Sequence, residues 1–105
     1  MIQLTEEKRA GWCVVGVRGR ADAETADELE TALRNAVGHS PRVAADFAAL
    51  DYISSAGLRA VIQAARAAQG AHVEFVVCSP TASVRKVFDL SGLQSILHIR
   101  GELPC

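Results

Sequence analysis

The fold of this chain is organised around the stretch DFAALDYISSAGLR, which spans residues 46–59. A run typical of a β-strand enters this stretch, two serines follow, and an amphipathic pattern begins directly after them. From Leu58 onward the apolar residues fall at the spacing of one helical face, while arginine and glutamine occupy the other face. We therefore predict a helix that runs to about Gln69 and ends at Gly70.

The two serines lie where this helix begins. Unpaired backbone N–H groups and the positive end of the helix dipole favour a hydroxyl cap there, and they would also favour a phosphate. Ordinary helix capping explains many Ser-Ser pairs that precede a helix. A functional role for Ser54 and Ser55 therefore depends on the surrounding sequence. Gly57 costs ~1 kcal/mol in the helix relative to alanine, and it is either a tolerated weak residue or leaves room for a partner's backbone. Arg59 is expected on a solvated face.

Length and composition favour a single domain that covers residues 1–105. Hydrophobic residues make up 50% of the chain and aromatic residues only 5%, so the core should consist mainly of Ala, Val, Leu and Ile. The formal net charge is −1, and Lys and Arg do not cluster with aromatic residues, which argues against nucleic acid or an anionic membrane surface as partner. A charged start and no run of ~18 apolar residues favour a cytoplasmic protein.

The first half of the chain alternates between strand and helix patterns. Two strands, at residues 2–5 and 12–17, are separated by a charged turn around residues 6–11 and should pair as a hairpin. Asp22 is a good N-cap for a first helix. Acidic residues in the first turns favour this helix, and it should end at residues 38–41.

The second half continues in the same way. Alternating apolar residues at 43–47 predict a strand, and the loop Ala48 to Ser54 connects it to the central helix. Residues 72–78 are rich in β-branched side chains and predict an interior strand. Ser79-Pro80 predicts the start of a third helix, which Gly92 ends.

The element order is β-β-α-β-α-β-α, followed by a short terminal strand or an extended tail at residues 95–105. Helices that connect consecutive strands favour an α/β fold with a mixed, mostly parallel sheet and the helices packed on it. Sites in such sheets lie at the C-terminal ends of strands, where the loop Ala48 to Ser54 is expected.

Neither catalysis nor metal binding is favoured by the sequence. An esterase built on Ser55 would lack the first glycine of the G-x-S-x-G pattern, and the histidines have no evident partner acid. No two metal ligands sit at chelating spacing, so neither a metal nor another cofactor is predicted. Cys13 and Cys78 lie in apolar strand-like runs and are expected to be buried, reduced thiols.

Four motifs of this chain resemble those of STAS domains, and of anti-sigma factor antagonists in particular. Residues 43–60 resemble the signature segment of the family, and the run GRAD at residues 19–22 resembles the Gly-x-x-Asp before its first helix. Asp46 resembles the aspartate that closes the third strand, and residues 84–93 resemble the third helix and its stop. The motifs follow the order of the family and extend along most of the chain.

This resemblance implies a partner switch without chemistry of its own. In the family an unphosphorylated antagonist binds an anti-sigma factor that is also a serine kinase of the histidine-kinase-like ATPase type; phosphorylation releases it, and a PP2C-type phosphatase restores it. By position the phosphoacceptor is Ser55. The commonest motif reads Asp-Ser-Ser/Thr-Gly, whereas this chain has Ser-Ser-Ala-Gly, so Ser54 is a rival acceptor. The implied partner-binding residues are Asp22, Ser54, Ser55, Ala56, Gly57, Leu58 and Arg59.

The alternative function is that of a non-switching STAS module, either a stressosome scaffold component or the cytoplasmic accessory subunit of a lipid transporter. The usual last helix of the family is not recognisable after Ile99. A second copy of the chain, in a homodimer, is therefore a candidate cover for the open face of the sheet.

Overall fold

The computed structural model describes residues 2–92 and 98–100. Their strands form one sheet in the order β1-β2-β3-β4-β5, in which β1 is antiparallel to β2 and the other neighbours are parallel. The described elements are β1 (Ile2–Arg9), β2 (Trp12–Ala21), α1 (Ala26–His39), β3 (Arg42–Ile53), α2 (Ser55–Gly70), β4 (Glu74–Cys78), α3 (Ala82–Ser91) and β5 (His98–Arg100). The predicted element order and mixed, mostly parallel sheet are confirmed.

The hairpin of β1 and β2 forms as predicted, but its turn is shorter. Only Ala10 and Gly11 join the two strands, and their φ angles are 51° and 85°. Two successive residues with positive φ match the twist of a tight hairpin, and glycine adopts this conformation at no steric cost. The predicted turn from Glu6 onward was wrong because β1 is an edge strand, where charged side chains stay in solvent while the backbone pairs.

The main core lies between one face of the sheet and the three helices of the described chain. Strand residues such as Val15 and Val77 and helix residues such as Leu29 and Phe88 are fully buried in one cluster. Each such side chain contributes about 1.5–3 kcal/mol through burial. The opposite face of the sheet carries a smaller buried cluster made of Trp12, Val14, Ala44, Val76 and Cys78.

Strand β3 is longer than predicted, since residues 48–53 of the loop expected from Ala48 to Ser54 continue the strand beside β2. Pairing with β4 stops at Asp46, and a register shift follows, because β3 has one residue more than β2 between Asp46 and Ala49. Asp46 Oδ1 accepts a hydrogen bond from the backbone N–H of Ala48 at 3.0 Å, which stabilises this bulge. Asp46 therefore marks the end of pairing with β4 and not the end of the strand.

Helix α1 begins at Ala26, later than a cap at Asp22 implies. The Asp22 carboxylate accepts hydrogen bonds from the backbone N–H groups of Glu24 at 3.0 Å and Thr25 at 3.2 Å, which stabilises a turn ahead of the helix. Thr25 occupies the N-cap position, but its hydroxyl donates to the carbonyl of Arg20 at 2.9 Å. Asp22 thus fixes the connection from β2 into α1 and is not the helix cap.

Helix α2 runs from Ser55 to Gly70, close to its predicted end. The next strand starts at Glu74, two residues after the predicted start at His72. His72 has a φ angle of 58°, a left-handed conformation that does not continue a strand. Strand β4 is paired on both sides, as predicted for an interior strand.

Helix α3 begins at Ala82, slightly later than the Ser-Pro pair predicts. The Thr81 hydroxyl before it donates to the carbonyl of Leu50 at 2.8 Å, which ties the start of the helix to β3. The helix ends at Gly92 in a left-handed conformation with a φ angle of 67°, as predicted.

Of the two alternatives for residues 95–105, a short strand or an extended tail, the structure shows a strand at residues 98–100, which pair in parallel with β4. The rest of that prediction, at residues 95–97 and 101–105, lies outside the described residues.

Candidate functional site

Ser54 joins the ends of two strands to the start of helix α2. Its Oγ accepts a hydrogen bond from the backbone N–H of Gly57 at 3.2 Å, and its own backbone N–H donates to the carbonyl of Ala21 at 2.8 Å. Ser54 is therefore the N-cap that the sequence predicts, a role worth about 1 kcal/mol. Both its hydroxyl and its backbone are committed to the fold.

Ser55 is the first residue of the helix, and it differs from its neighbour in environment. Its side chain is exposed, whereas that of Ser54 is partly buried. Across residues 2–92 and 98–100, the Ser55 hydroxyl forms no hydrogen bond. The two serines are thus separated by role, since one holds the helix start and the other faces solvent.

Gly57 makes the close approach of α2 to β2 feasible. A Cβ atom at this position would lie 2.6 Å from the carbonyl oxygen of Ala21, 2.9 Å from the Cβ of Ala21 and 3.0 Å from Cγ1 of Ile53. The space beside its Cα is therefore filled by the chain itself. This corrects the interpretation that Gly57 leaves room for the backbone of a partner.

The other predicted binding residues of the first helical turns point in different directions. Leu58 is only 8% exposed and belongs to the main core. Ala56 is partly buried, and Arg59 is exposed, as predicted. A partner that reaches this turn can therefore contact Ser55, Ala56 and Arg59, while Leu58 packs in the core beneath the turn.

Asp22 lies beside the serine site because its neighbour Ala21 accepts the hydrogen bond from Ser54. Desolvation acts to raise the pKa of Asp22, but hydrogen bonds from the backbone of Glu24 and from the hydroxyl and backbone of Thr25 outweigh it and lower the pKa. The Asp22 carboxylate is therefore ionised at neutral pH. It places a negative charge at the same end of the sheet as the serines.

Sequence reasoning missed an arginine and a tyrosine that flank the site. Arg20 and Tyr52 are register partners at the ends of β2 and β3, and the Arg20 guanidinium carbon lies 4.2 Å from the centre of the Tyr52 ring. Tyr52 is 39% exposed. Tyr52 lies in the segment that was predicted to be a loop, where the direction of a side chain cannot be assigned from the sequence. Its contact with Arg20 depends on the continuation of β3 beside β2.

The first turn of α2 favours negative charge. It contains no acidic residue, and the backbone N–H groups of Ser55 and Ala56 have no acceptor in the described part of the chain. These free N–H groups and the positive end of the helix dipole lie at the start of α2, where Ser55 is the first residue. An added phosphate would find donors there.

None of the helices within residues 2–92 and 98–100 is long and apolar enough to cross a membrane.

Comparison with known proteins assigns the chain to a family. The family model described as STAS domain matches residues 2–103. The chain belongs to the STAS domain family. The resemblance seen in the sequence motifs is thereby confirmed.

Two proteins similar to this STAS domain are named as anti-sigma factor antagonists. BtrV of Bordetella bronchiseptica, named as an anti-sigma factor antagonist, is 36% identical over 99 residues, which cover 93% of this chain and 85% of BtrV. The crystal structure of an anti-sigma factor antagonist from Mycobacterium paratuberculosis superposes with a TM-score of 0.89 at 27% identity, covering 98% of this chain and 88% of that one.

The antagonist SpoIIAA of Bacillus is similar in fold. Its unphosphorylated form gives a TM-score of 0.75 over 92% of this chain and 87% of that chain, at 20% identity. Its phosphorylated form gives 0.70 over 92% and 90%, again at 20% identity. The STAS fold expected from the sequence is confirmed.

Proposed function

We propose that this STAS domain is an anti-sigma factor antagonist that binds an anti-sigma factor with serine kinase activity, and that phosphorylation of Ser55 switches this binding off. The observation that carries the proposal is the exposed, unbonded hydroxyl of Ser55 beside the committed hydroxyl of Ser54. Relatives named as anti-sigma factor antagonists support the class of partner. A PP2C-type phosphatase would restore the unphosphorylated form, and a cytoplasmic setting suits these partners.

Accessibility favours Ser55 over Ser54 as the acceptor. A kinase must bring the γ-phosphate of ATP in line with a free hydroxyl oxygen. Phosphorylation of Ser54 would convert the oxygen that caps Gly57 and crowd it against a partly buried helix start. Phosphorylation of Ser55 breaks no described hydrogen bond.

The domain should stay folded after phosphorylation. A phosphate adds about −1.5 to −2 charges at pH 7 and three acceptor oxygens. At Ser55 these oxygens lie beside the free N–H groups of Ser55 and Ala56 and in a helical turn without acidic residues. The charge is therefore tolerated locally.

The cost of the phosphate falls on the complex. A doubly charged group at a packed interface must lose most of its water, and the N–H groups of the helix start replace only part of that hydration, which costs several kcal/mol, on the order of 3–5. Each ~1.4 kcal/mol lowers affinity tenfold. Phosphorylation should therefore lower the affinity by roughly a hundredfold to a few thousandfold.

The binding surface that we propose, called the serine rim, consists of Asp22, Tyr52, Ser55, Ala56 and Arg59. These residues lie at the C-terminal ends of β2 and β3 and in the first turn of α2. The Arg20 guanidinium packs on the Tyr52 ring behind this surface, and tyrosine and arginine are among the residues most enriched in binding hot spots. Asp22 adds a fixed negative charge at the edge.

Incubation with the cognate anti-sigma kinase and ATP, followed by intact mass and fragment mapping, tests the acceptor. The wild-type chain should gain one phosphate, on Ser55. Ser55→Ala should gain none and bind the anti-sigma factor constitutively, and Ser55→Asp should bind poorly. The matched control is Ser54→Asn, which keeps a good N-cap but offers no hydroxyl, and it should still be phosphorylated.

Phosphate on Ser54 alone would refute the assignment of the acceptor. An active kinase that modifies neither serine would refute the switch and favour the non-switching module.

Calorimetry with the anti-sigma factor tests the serine rim. Tyr52→Ala, Asp22→Ala and Arg59→Ala should each weaken binding, while Arg85→Ala on the exposed side of α3 should not. Leu58→Ala is unsuitable as a binding test because the side chain is buried and its truncation costs stability. Unchanged affinity in all three rim variants, with unchanged circular dichroism, would exclude this surface.

A further inference from the structure

Three side chains of different chemistry meet at the end of the sheet opposite the serine rim. They are Glu6 from β1, Cys13 from β2 and His39, the last residue of α1. Their carboxylate oxygen, thiol sulfur and imidazole nitrogen all lie within 4.8 Å of one another. His39 Nε2 and Glu6 Oε2 are 3.2 Å apart.

Strand register and helix length produce this cluster. Glu6 is paired with Val15, and Lys8 is paired with Cys13, so Glu6 and Cys13 are diagonal neighbours on one face of the hairpin. This face carries the core, and α1 packs on it and ends at His39. The three ligands come from distant points of the sequence, which is why no chelating spacing appears there.

The burial of the three residues differs in a way that suits an ion entering from solvent. Cys13 is completely buried, whereas the side chains of Glu6 and His39 are each 46% exposed. The sulfur thus lies at the buried side of the cluster, and the carboxylate and imidazole lie at its solvent side. Burial, followed by the Glu6 carboxylate, raises the pKa of Cys13, while Lys8 acts to lower it.

We propose that Glu6, Cys13 and His39 bind one Zn²⁺ ion. Thiolate, imidazole and carboxylate are the three donor types that zinc takes in proteins. Zn–N and Zn–O bonds of about 2.0–2.1 Å in a tetrahedron place nitrogen and oxygen about 3.3 Å apart, close to the 3.2 Å between His39 and Glu6. A water completes the fourth position, and the thiol proton leaves to solvent as sulfur binds the metal.

The bound ion would join the hairpin to the end of α1. The cluster is eight residues along β2 from Ala21, the residue that contacts Ser54, or about 26 Å at the rise of a strand. Zinc at this position is therefore structural and independent of the serine rim.

Zinc titration by calorimetry tests the proposal, with the Cys105→Ser chain as background so that the terminal thiol does not compete. We expect one Zn²⁺ per chain and a higher melting temperature with zinc than with a chelator. Co²⁺ should give a thiolate charge-transfer band in the near ultraviolet that disappears in Cys13→Ala. Glu6→Gln and His39→Gln should each weaken zinc binding at least about tenfold. Tenfold is the smallest typical loss when a residue that hydrogen-bonds to a metal ligand is substituted, and loss of a ligand itself should cost more.

Matched controls fix the location. Glu7→Gln is the adjacent residue with the opposite facing, His98→Gln is a histidine on β5, and Cys78→Ala is the other buried thiol; all three should bind zinc like the background chain. Absence of one-to-one binding would overturn the proposal. So would binding that survives Glu6→Gln and His39→Gln, or that any of the controls weakens equally.

Discussion

Substitution of Gly57 by alanine separates two opposing effects at the start of α2. Alanine is a better helix former than glycine by ~1 kcal/mol, so propensity alone predicts stabilisation. The added Cβ, however, would lie 2.6 Å from the carbonyl oxygen of Ala21. That carbonyl cannot retreat freely because it accepts the backbone hydrogen bond of Ser54 at 2.8 Å.

The clash outweighs the propensity. Overpacking a core costs about 1–3 kcal/mol, and a stretched Ser54–Ala21 hydrogen bond adds about 1 kcal/mol. After the gain in propensity, Gly57→Ala should destabilise the domain by roughly 1–3 kcal/mol. At about 4–8 °C per kcal/mol for a domain of this size, the melting temperature should fall by roughly 4–24 °C.

Gly70→Ala is the matched control at the other end of the same helix, since nothing lies within 4 Å of its virtual Cβ. It should stabilise by about 0.4–1 kcal/mol. Differential scanning calorimetry and urea unfolding of both variants provide the measurement. If Gly57→Ala gained stability as Gly70→Ala does, the tight contact between α2 and β2 would be refuted.

Three further predictions concern the serines, Asp22 and a buried thiol. Ser54→Ala should lose about 1 kcal/mol in urea unfolding through the lost cap, whereas Ser55→Ala should unfold like wild type; equal losses would contradict their separate roles. Because the pKa of Asp22 is lowered in the folded state, its contribution to stability is present above the unfolded pKa and is lost as the pH falls through the acid range. Asp22→Asn should therefore flatten the acid limb of stability against pH, and an unchanged limb would argue against the hydrogen-bonded turn. Burial, followed by the charge of Asp46, raises the pKa of Cys78 to about 11, so iodoacetamide should label it at pH 8 only after unfolding, as mass spectrometry with and without urea would reveal.

The element order and the helix start were predictable because they depend on local patterns. The 3.6-residue period after the serines and the turn chemistry at Gly92 each act within a few residues. The length of β3 was not predictable in this way. Within the described residues its second half pairs with β2 alone, across register shifts. Residues 48–52, among which Leu50 is the one buried side chain, resemble a loop until the partner strand is known.

The candidate site was predictable in position but not in detail. Motif and helix period placed Ser54 and Ser55 at the helix start, but neither distinguishes a committed hydroxyl from a free one. Gly57 was misinterpreted because its constraint comes from Ala21, far away in sequence. Long-range packing also created the Arg20–Tyr52 pair, for which the sequence offers no signal.

The two-residue turn between β1 and β2 has a kinetic consequence. Its strands can meet by closing a minimal loop, and isolated hairpins form in about 1–10 μs. Each parallel pair instead requires a crossover that contains a helix. The entropic cost of closing a loop rises by about 0.6 kcal/mol with every doubling of loop length. The hairpin is thus poised to nucleate folding, with β2 as the template on which β3 docks. The serine rim, which needs both of these strands and α2, can assemble only after that docking.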